Sequence, residues 1–293
     1  MRLALVVAAT AACGCGRLRF DDLPDAGAVS DASSLPATCD WSSGPPFTGS
    51  PMLHPELSSL QSEVDPFIAP GDPLTMYFGS ERTGDMDIYI ARRPAVDRPF
   101  EQVTRVDALS MVGRFETGVI LDRTQTTGYF TVDQTIHAVV RDVPGGPLRD
   151  VGIVSELAIH PVFQDAWPSP DGLAITFAAG DAPSQIYTAT RSSTDAPWTN
   201  IALSPINVPG VTSGGATLTA DQRVMVWTER TAVNRILYSV RSDPGQPFSA
   251  GQPLQGLTGT NFEPSIREDG CELFFANTPD QSNFDIYSFV AEP

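Results

Sequence analysis

Short apolar runs alternate with polar, Gly- and Pro-containing turns along most of this chain. Leu173 to Phe177 is one such run, and it follows the turn Ser169-Pro170-Asp171-Gly172. Pro and Gly there supply the backbone dihedrals that a tight turn requires. A polar loop leads to a second run, Gln185 to Arg191, with an Ile-Tyr pair. A Pro-aromatic turn, Pro197-Trp198, precedes a third near Ile201-Leu203. The runs are short, β-branched and aromatic-rich, which predicts strands. No stretch holds a helical period over three turns.

The pattern recurs at a fixed spacing. Ile136, Ile186, Ile236 and Ile286 lie 50 residues apart, and Ile88 precedes them by 48. Arg141, Arg191 and Arg241 keep the 50-residue step, as do Pro147, Pro197 and Pro247. An aromatic ends the preceding apolar strand each time: Phe78, Phe130, Phe177, Trp227 and Phe275. Several columns sharing one long period identify a repeat architecture. Four short strands per unit make a propeller blade, so the expected fold is all-β, a five-bladed β-propeller.

The expected blades run 62–108, 109–158, 159–206, 207–256, and 257–290 joined by 45–58. The fifth unit stops before its Pro-aromatic turn and last strand. An unused copy, Pro46-Phe47 followed by Ser50-Pro51-Met52-Leu53, stands at the other end. This N-terminal strand is expected to complete the fifth blade and remove two sheet edges. Cys39 precedes the closing strand and Cys271 begins the second strand of the same blade. A disulfide between Cys39 and Cys271 is therefore expected, provided the chain reaches an oxidising compartment. The four Cys lack zinc-ligand spacing.

The units resemble the TolB-type, WD40-like β-propeller repeat. Its pattern is an acidic residue, Ser-Pro-Asp-Gly, an apolar strand ending in Phe, and Asp-Ile-Tyr. Asp165 to Tyr187 matches, lacking only the Asp before Ile186. Glu263, Asp269-Gly270, Phe275 and Asp285-Ile286-Tyr287 match, as do Asp65, Phe78 and Asp87-Ile88-Tyr89. The units around Glu116 and Gly215 are degenerate. The resemblance covers Pro46 to Val290 and implies a role in protein interaction at the cell envelope. It is specific for fold, and a fold by itself does not assign function.

Composition narrows the functional classes. The 293 residues include 18 basic and 35 acidic side chains, for a formal charge of −17. Every basic residue is Arg, which excludes chemistry that needs a Lys amine. The acidity argues against nucleic acid and anionic lipid partners. The beginning of the chain reads as a targeting segment, with Met1-Arg2 followed by an apolar run from Leu3 to Ala12. Ala11-Ala12-Cys13 resembles a bacterial lipoprotein processing site, with Cys15 as an alternative acylation point. Residues 1–15 are thus expected to be a leader and 16–44 an acidic tether, with the propeller from 45 to 293. The expectation is an exported monomer, held as an outer-membrane lipoprotein or in the periplasm or at the cell surface. Its membrane contact is through the lipid anchor only, because no other apolar run approaches the ~20 residues of a spanning helix.

Stacking the repeats places Asp65, Glu116, Asp165 and Glu263 at the start of the innermost strand, with Gly215 in the fourth unit. Four carboxylates round a central funnel can hold a cation such as Ca²⁺, attract a basic partner, or cap backbone N–H groups between blades. No other cofactor is expected. A further resemblance bears on the same residues. Val64-Asp65-Pro66-Phe67-Ile68 looks similar to the opening motif of arabinanase-like glycoside hydrolases, which implies paired catalytic carboxylates. Against it, these acids fall on the repeat columns rather than apart from them. The three His follow no metal or triad spacing, and neither a nucleophile elbow nor a phosphate loop is present. The sequence therefore favours a non-catalytic envelope propeller that binds a protein or surface polymer. Glycoside hydrolase and purely structural envelope protein are the alternatives.

Overall fold

The computed structural model describes residues 39–279 and 282–291. The leader, the candidate acylation sites Cys13 and Cys15, and the tether as far as residue 38 lie outside the described residues.

The described residues form five four-stranded antiparallel sheets. Blade one holds β2 (Glu63–Ile68), β3 (Thr75–Ser80), β4 (Asp87–Arg92) and β5 (Glu101–Arg105). Blade two holds β6 (Glu116–Leu121), β7 (Thr127–Val132), β8 (Thr135–Val140) and β9 (Arg149–Ile153). Blade three holds β10 (Phe163–Pro168), β11 (Ala174–Ala179), β12 (Gln185–Thr190) and β13 (Thr199–Leu203). Blade four holds β14 (Thr212–Leu218), β15 (Val224–Arg230), β16 (Arg235–Val240) and β17 (Gln252–Pro253). Blade five takes three strands from the end of the chain, β18 (Thr260–Ile266), β19 (Glu272–Thr278) and β20 (Asp285–Val290). Its outer strand is β1 (Met52–Leu53), with Met52 opposite Ser288 and Leu53 opposite Tyr287. The protein is an all-β propeller of five blades, closed by an N-terminal strand.

Each repeated column has a structural task. In blade three the Ser169 hydroxyl donates to Asp171 Oδ1 at 2.6 Å and accepts from the Ala174 N–H at 2.9 Å, which locks the turn between the first two strands. Thr219 and Asp221 repeat this arrangement in blade four. Gly172 occupies the turn at φ 67°, a left-handed conformation that costs a Cβ-bearing residue. The Arg column ties the far turn to this one. Arg93, Arg191 and Arg241 donate Nε–H to the carbonyls of Pro73, Gly172 and Gln222 at 3.0, 2.6 and 2.7 Å. Arg141 makes the same bond to Gln125. Three of these guanidinium groups also stack on the aromatic of the Pro-aromatic turn, at 4.9 Å for Phe100, 4.3 Å for Trp198 and 4.3 Å for Phe248. The column aromatics Phe78, Phe130, Phe177, Trp227 and Phe275 are all buried between blades.

Closure of the ring begins earlier than the sequence suggests. Residues 39–44, assigned above to the tether, pack on blade five. Cys39 is bonded to Cys271, with the two Cα atoms 5.2 Å apart, and its N–H donates to the Asp269 carbonyl at 2.8 Å. Trp41 is buried and lies edge-on to Phe47 at 5.5 Å. An indole of that size finds better cover between blades than in water, so the folded unit extends to Cys39.

Candidate functional site

The inner strands β2, β6, β10, β14 and β18 line the axis. Each carries a bulge at the same place, where the register with its neighbour slips. The bulged residues are Asp65, Gly118, Asp165, Gly215 and Glu263, with φ of 49°, 62°, 57°, 59° and 54°. One left-handed residue from each blade thus rings the axis. A bulge re-aims its side chain, and here it turns the carboxylates inward.

This geometry brings together three of the four sequence candidates and excludes one. Asp65, Asp165 and Glu263 share the floor of one funnel. Glu116 does not join them. It is the first residue of β6, two before the bulge, and matches Glu63 rather than Asp65. Gly118 holds the axial place in blade two. The repeat itself carried the signal. Asp165, Gly215 and Glu263 each precede their column aromatic by 12 residues, and so does Gly118, whereas Glu116 stands 14 before Phe130.

The axial acids bond from blade to blade. Asp165 of blade three accepts the Gly215 N–H of blade four through Oδ2 at 3.0 Å. Glu263 of blade five accepts the Asp65 N–H of blade one through Oε2 at 3.0 Å. The Asp65 carboxylate lies over Gly118 of blade two and is held by the Thr117 hydroxyl. Blades two and four have no axial carboxylate to offer, and a Thr of the second strand takes over. Thr131 Oγ1 accepts the Asp165 N–H at 3.4 Å, and Thr228 Oγ1 accepts the Glu263 N–H at 2.9 Å. In the acid-bearing blades the cross-strand positions that match Thr131 and Thr228 are Gly79, Ala178 and Ala276. Acid pairs with small residue in blades one, three and five, and Gly pairs with Thr in blades two and four. Sequence reasoning missed Thr131 and Thr228 because they lie on a different strand from the acids.

Electrostatics follow from the crowding. Burial, then the Asp165 charge, pushes Asp65 up to about 7. Burial also raises Asp165. Burial and the charges of Asp65 and Asp165 hold Glu263 well above the usual carboxylate range. Arg230 on the funnel wall pulls all three back down. Like charges at one floor cannot all ionise cheaply, so protons are retained near neutral pH. Among the described residues no three Asp, Glu, His or Cys side chains converge as a metal-binding group.

Above the floor the funnel has a volume of about 380 Å³, with Phe115, Gln134, Gln164, Arg230 and Phe262 on its wall. A smaller cavity of about 30 Å³ touches the same three acids, and Phe67, Leu121, Trp167 and Leu218 line another farther along the inner strands. The rim loops expose Leu60, Val112, Phe115, Val208 and Val233. His137 is buried on β8 and bonds Asp150 through Nδ1 at 3.0 Å. Trp198 and Trp227 lie in the blade core. None of the three lines the funnel.

No family model matches this sequence, and no curated protein matches it. Solved structures do match in fold. The α-L-arabinofuranosidase PaAbf62A from Podospora anserina aligns with a TM-score of 0.57 at 9% identity, over 85% of this chain and 98% of that one. A putative glycoside hydrolase from Parabacteroides distasonis aligns with a TM-score of 0.52 at 11% identity, over 84% and 93%. TolB from Acinetobacter baumannii aligns with a TM-score of 0.50 at 14% identity, over 80% of this chain. The aligned part spans 56% of that TolB chain. These likenesses, each at 14% identity or less, are to proteins of different kinds and show likeness of fold alone.

Proposed function

We propose that this protein is a non-catalytic propeller of the cell envelope that docks a protein or surface polymer across the face into which the funnel opens. The observation that carries the reading is the use of the axial acids. Asp165 and Glu263 each commit a carboxylate oxygen to a backbone N–H of the next blade. The Gly-plus-Thr alternation meets the same need where no acid stands. Catalytic carboxylates face their substrate, whereas these serve the ring. The exposed apolar residues of the rim suit a docking surface, and the leader with its acylation motif suits an exported, tethered module. Capture from envelope extracts tests the reading. The wild-type propeller should retain a partner that a Leu60→Ser, Val112→Ser, Phe115→Ser variant loses and an Asp65→Asn variant keeps. Equal capture by the rim variant would count against it.

A second reading has its own support. Three carboxylates held above their ordinary range at the foot of a funnel are what glycoside cleavage requires of its acid, and the structures alike in fold include an α-L-arabinofuranosidase and a putative glycoside hydrolase. Turnover of an arabinan- or xylan-type substrate that disappears in Asp65→Asn would favour it.

A further inference from the structure

The segment that closes the ring is held unevenly along its length. At its root His54 is buried, its N–H donates to the Ile286 carbonyl at 3.0 Å, and its Nε2 bonds Ser288 Oγ at 2.9 Å. Leu57 just behind it is fully buried. Ahead of this root the hold is slight. β1 pairs with β20 at two residues only, and both of them, Met52 and Leu53, are exposed. Thr48, Gly49 and Ser50 are exposed as well, and a Cβ placed on Gly49 would meet no atom within 4 Å. Burial returns at the tip. Phe47 stacks on Phe289 at 5.4 Å, and the buried Trp41 packs against Phe47 and Tyr238 at 5.5 and 5.6 Å. Beyond Trp41, Cys39 is bonded to Cys271.

The bond at the tip is open to attack. Neither Cys39 nor Cys271 is fully buried. Cys39 lines a groove of about 560 Å³, together with Asp40, Ser42, Asp221, Arg223 and Arg241. The groove gives an incoming thiolate room beside Cys39, and the two guanidinium groups offset the two carboxylates along its path. Exposed disulfides are the labile ones. The bond also carries much of the strap's hold. Ordering a long, half-exposed segment costs chain entropy, and the link to Cys271 lowers that cost by keeping the tip beside its site. Without the link, the burial of Trp41 and Phe47 and the two hydrogen bonds to the Asp269 and Gly270 carbonyls must offset all of it.

We infer that residues 39–53 form a redox-released strap: a dithiol protein that reduces the Cys39–Cys271 bond frees the strap from blade five while the rest of the propeller stays folded. One thiolate of the reductant attacks Sγ of Cys39, and Cys271 leaves as a thiolate. The second thiol of the reductant, deprotonated, then displaces Cys39 from the mixed disulfide. Two electrons pass to the protein, the two cysteine thiolates take up the two protons that the reductant's thiols gave up, and the reductant departs as an intramolecular disulfide. Release leaves blade five with three strands. The β20 edge is then unpaired, and Phe289 and Tyr238 lose their cover.

The test treats the full chain with dithiothreitol in mildly alkaline buffer without denaturant. Released thiols are trapped by alkylation and mapped to peptides, and both Cys39 and Cys271 should be modified. Trp41 emission, taken as the difference between wild type and Trp41→Phe, should shift to the red. Amides of residues 39–53 should lose their protection from hydrogen exchange while those of β2 to β16 keep theirs. The Cys39→Ser, Cys271→Ser variant should show the released strap with no reductant present, and re-oxidation of the wild type should restore its emission. A bond that resists dithiothreitol until denaturant is added would overturn the inference. So would a reduced protein, or the double variant, whose Trp41 stays buried. Protection lost from all five blades together would overturn it too, because reduction would then unfold the ring rather than release a strap.

Discussion

Trp41 Nε1 donates to the Gly270 carbonyl at 3.0 Å, the bond that the Arg191 guanidinium makes to the Gly172 carbonyl in blade three. Phe47 meets Trp41 edge-on at 5.5 Å, as Trp198 meets Arg191 face-on at 4.3 Å. The segment before β1 therefore supplies a whole missing connection for blade five as well as its outer strand. An indole N–H does the work of the guanidinium, and a disulfide secures it.

Replacing Trp41 should accordingly weaken the whole ring. Trp41→Ala removes a buried aromatic and should cost about 3–5 kcal/mol in denaturant unfolding. Trp41→Phe keeps most of the packing and loses the bond to Gly270, for about 1 kcal/mol. Equal losses in the two variants would show that the hydrogen bond is the main contribution.

The Cys39–Cys271 bond closes a loop across 232 residues of separation. Constraint of the unfolded chain should make it worth about 5 kcal/mol. Comparing oxidised protein with the Cys39→Ser, Cys271→Ser variant by chemical denaturation measures this directly. An unchanged midpoint would mean that β1 holds the ring without its staple.

At the axis, Thr228→Val leaves the Glu263 N–H without its acceptor. A loss of about 1–3 kcal/mol is expected. Gly215→Ala should also destabilise, because its φ is 59° and an added Cβ meets Glu263 Cα at 3.3 Å. Tolerance of both changes would remove the structural account of the alternation.

The pH dependence has a definite sign. Asp65 is raised to about 7 in the fold, above its ordinary value of about 3.9 in an unfolded chain. The folded state then binds more protons than the unfolded state between those limits. Stability from this group is full below about pH 4 and is lost as pH rises toward about 7. Thermal midpoints from pH 4 to 8 should fall more steeply in wild type than in Asp65→Asn, and parallel curves would contradict the assignment.

The columns made the architecture legible. Ile, Arg, Pro and aromatic positions recur because each blade solves one packing problem five times, and the unused Pro46-Phe47 disclosed the closure. The tether boundary was misplaced because Trp41 lies outside every column, so nothing in the period announced that it replaces an Arg. The candidate site was legible in three of its acids. Glu116 was drawn into the ring because it is acidic and near the right place, while the axial position itself is Gly118, a residue without a side chain to notice. Thr131 and Thr228 were hidden for another reason. Their partners are backbone N–H groups of a neighbouring blade, and a sequence column does not display contacts between units.

The central claim is that Asp65, Asp165 and Glu263 hold the ring and perform no chemistry. The most direct measurement sets hydrolysis of chromogenic arabinofuranoside and xyloside substrates beside unfolding, for wild type, Asp65→Asn, Asp165→Ala and Glu263→Ala. The account predicts no turnover above the uncatalysed rate in any of the four. It also predicts that Asp165→Ala and Glu263→Ala each lose about 0.5–2 kcal/mol through the uncapped N–H groups of Gly215 and Asp65. Turnover by wild type that Asp65→Asn abolishes, while the fold of that variant stays intact, would contradict it.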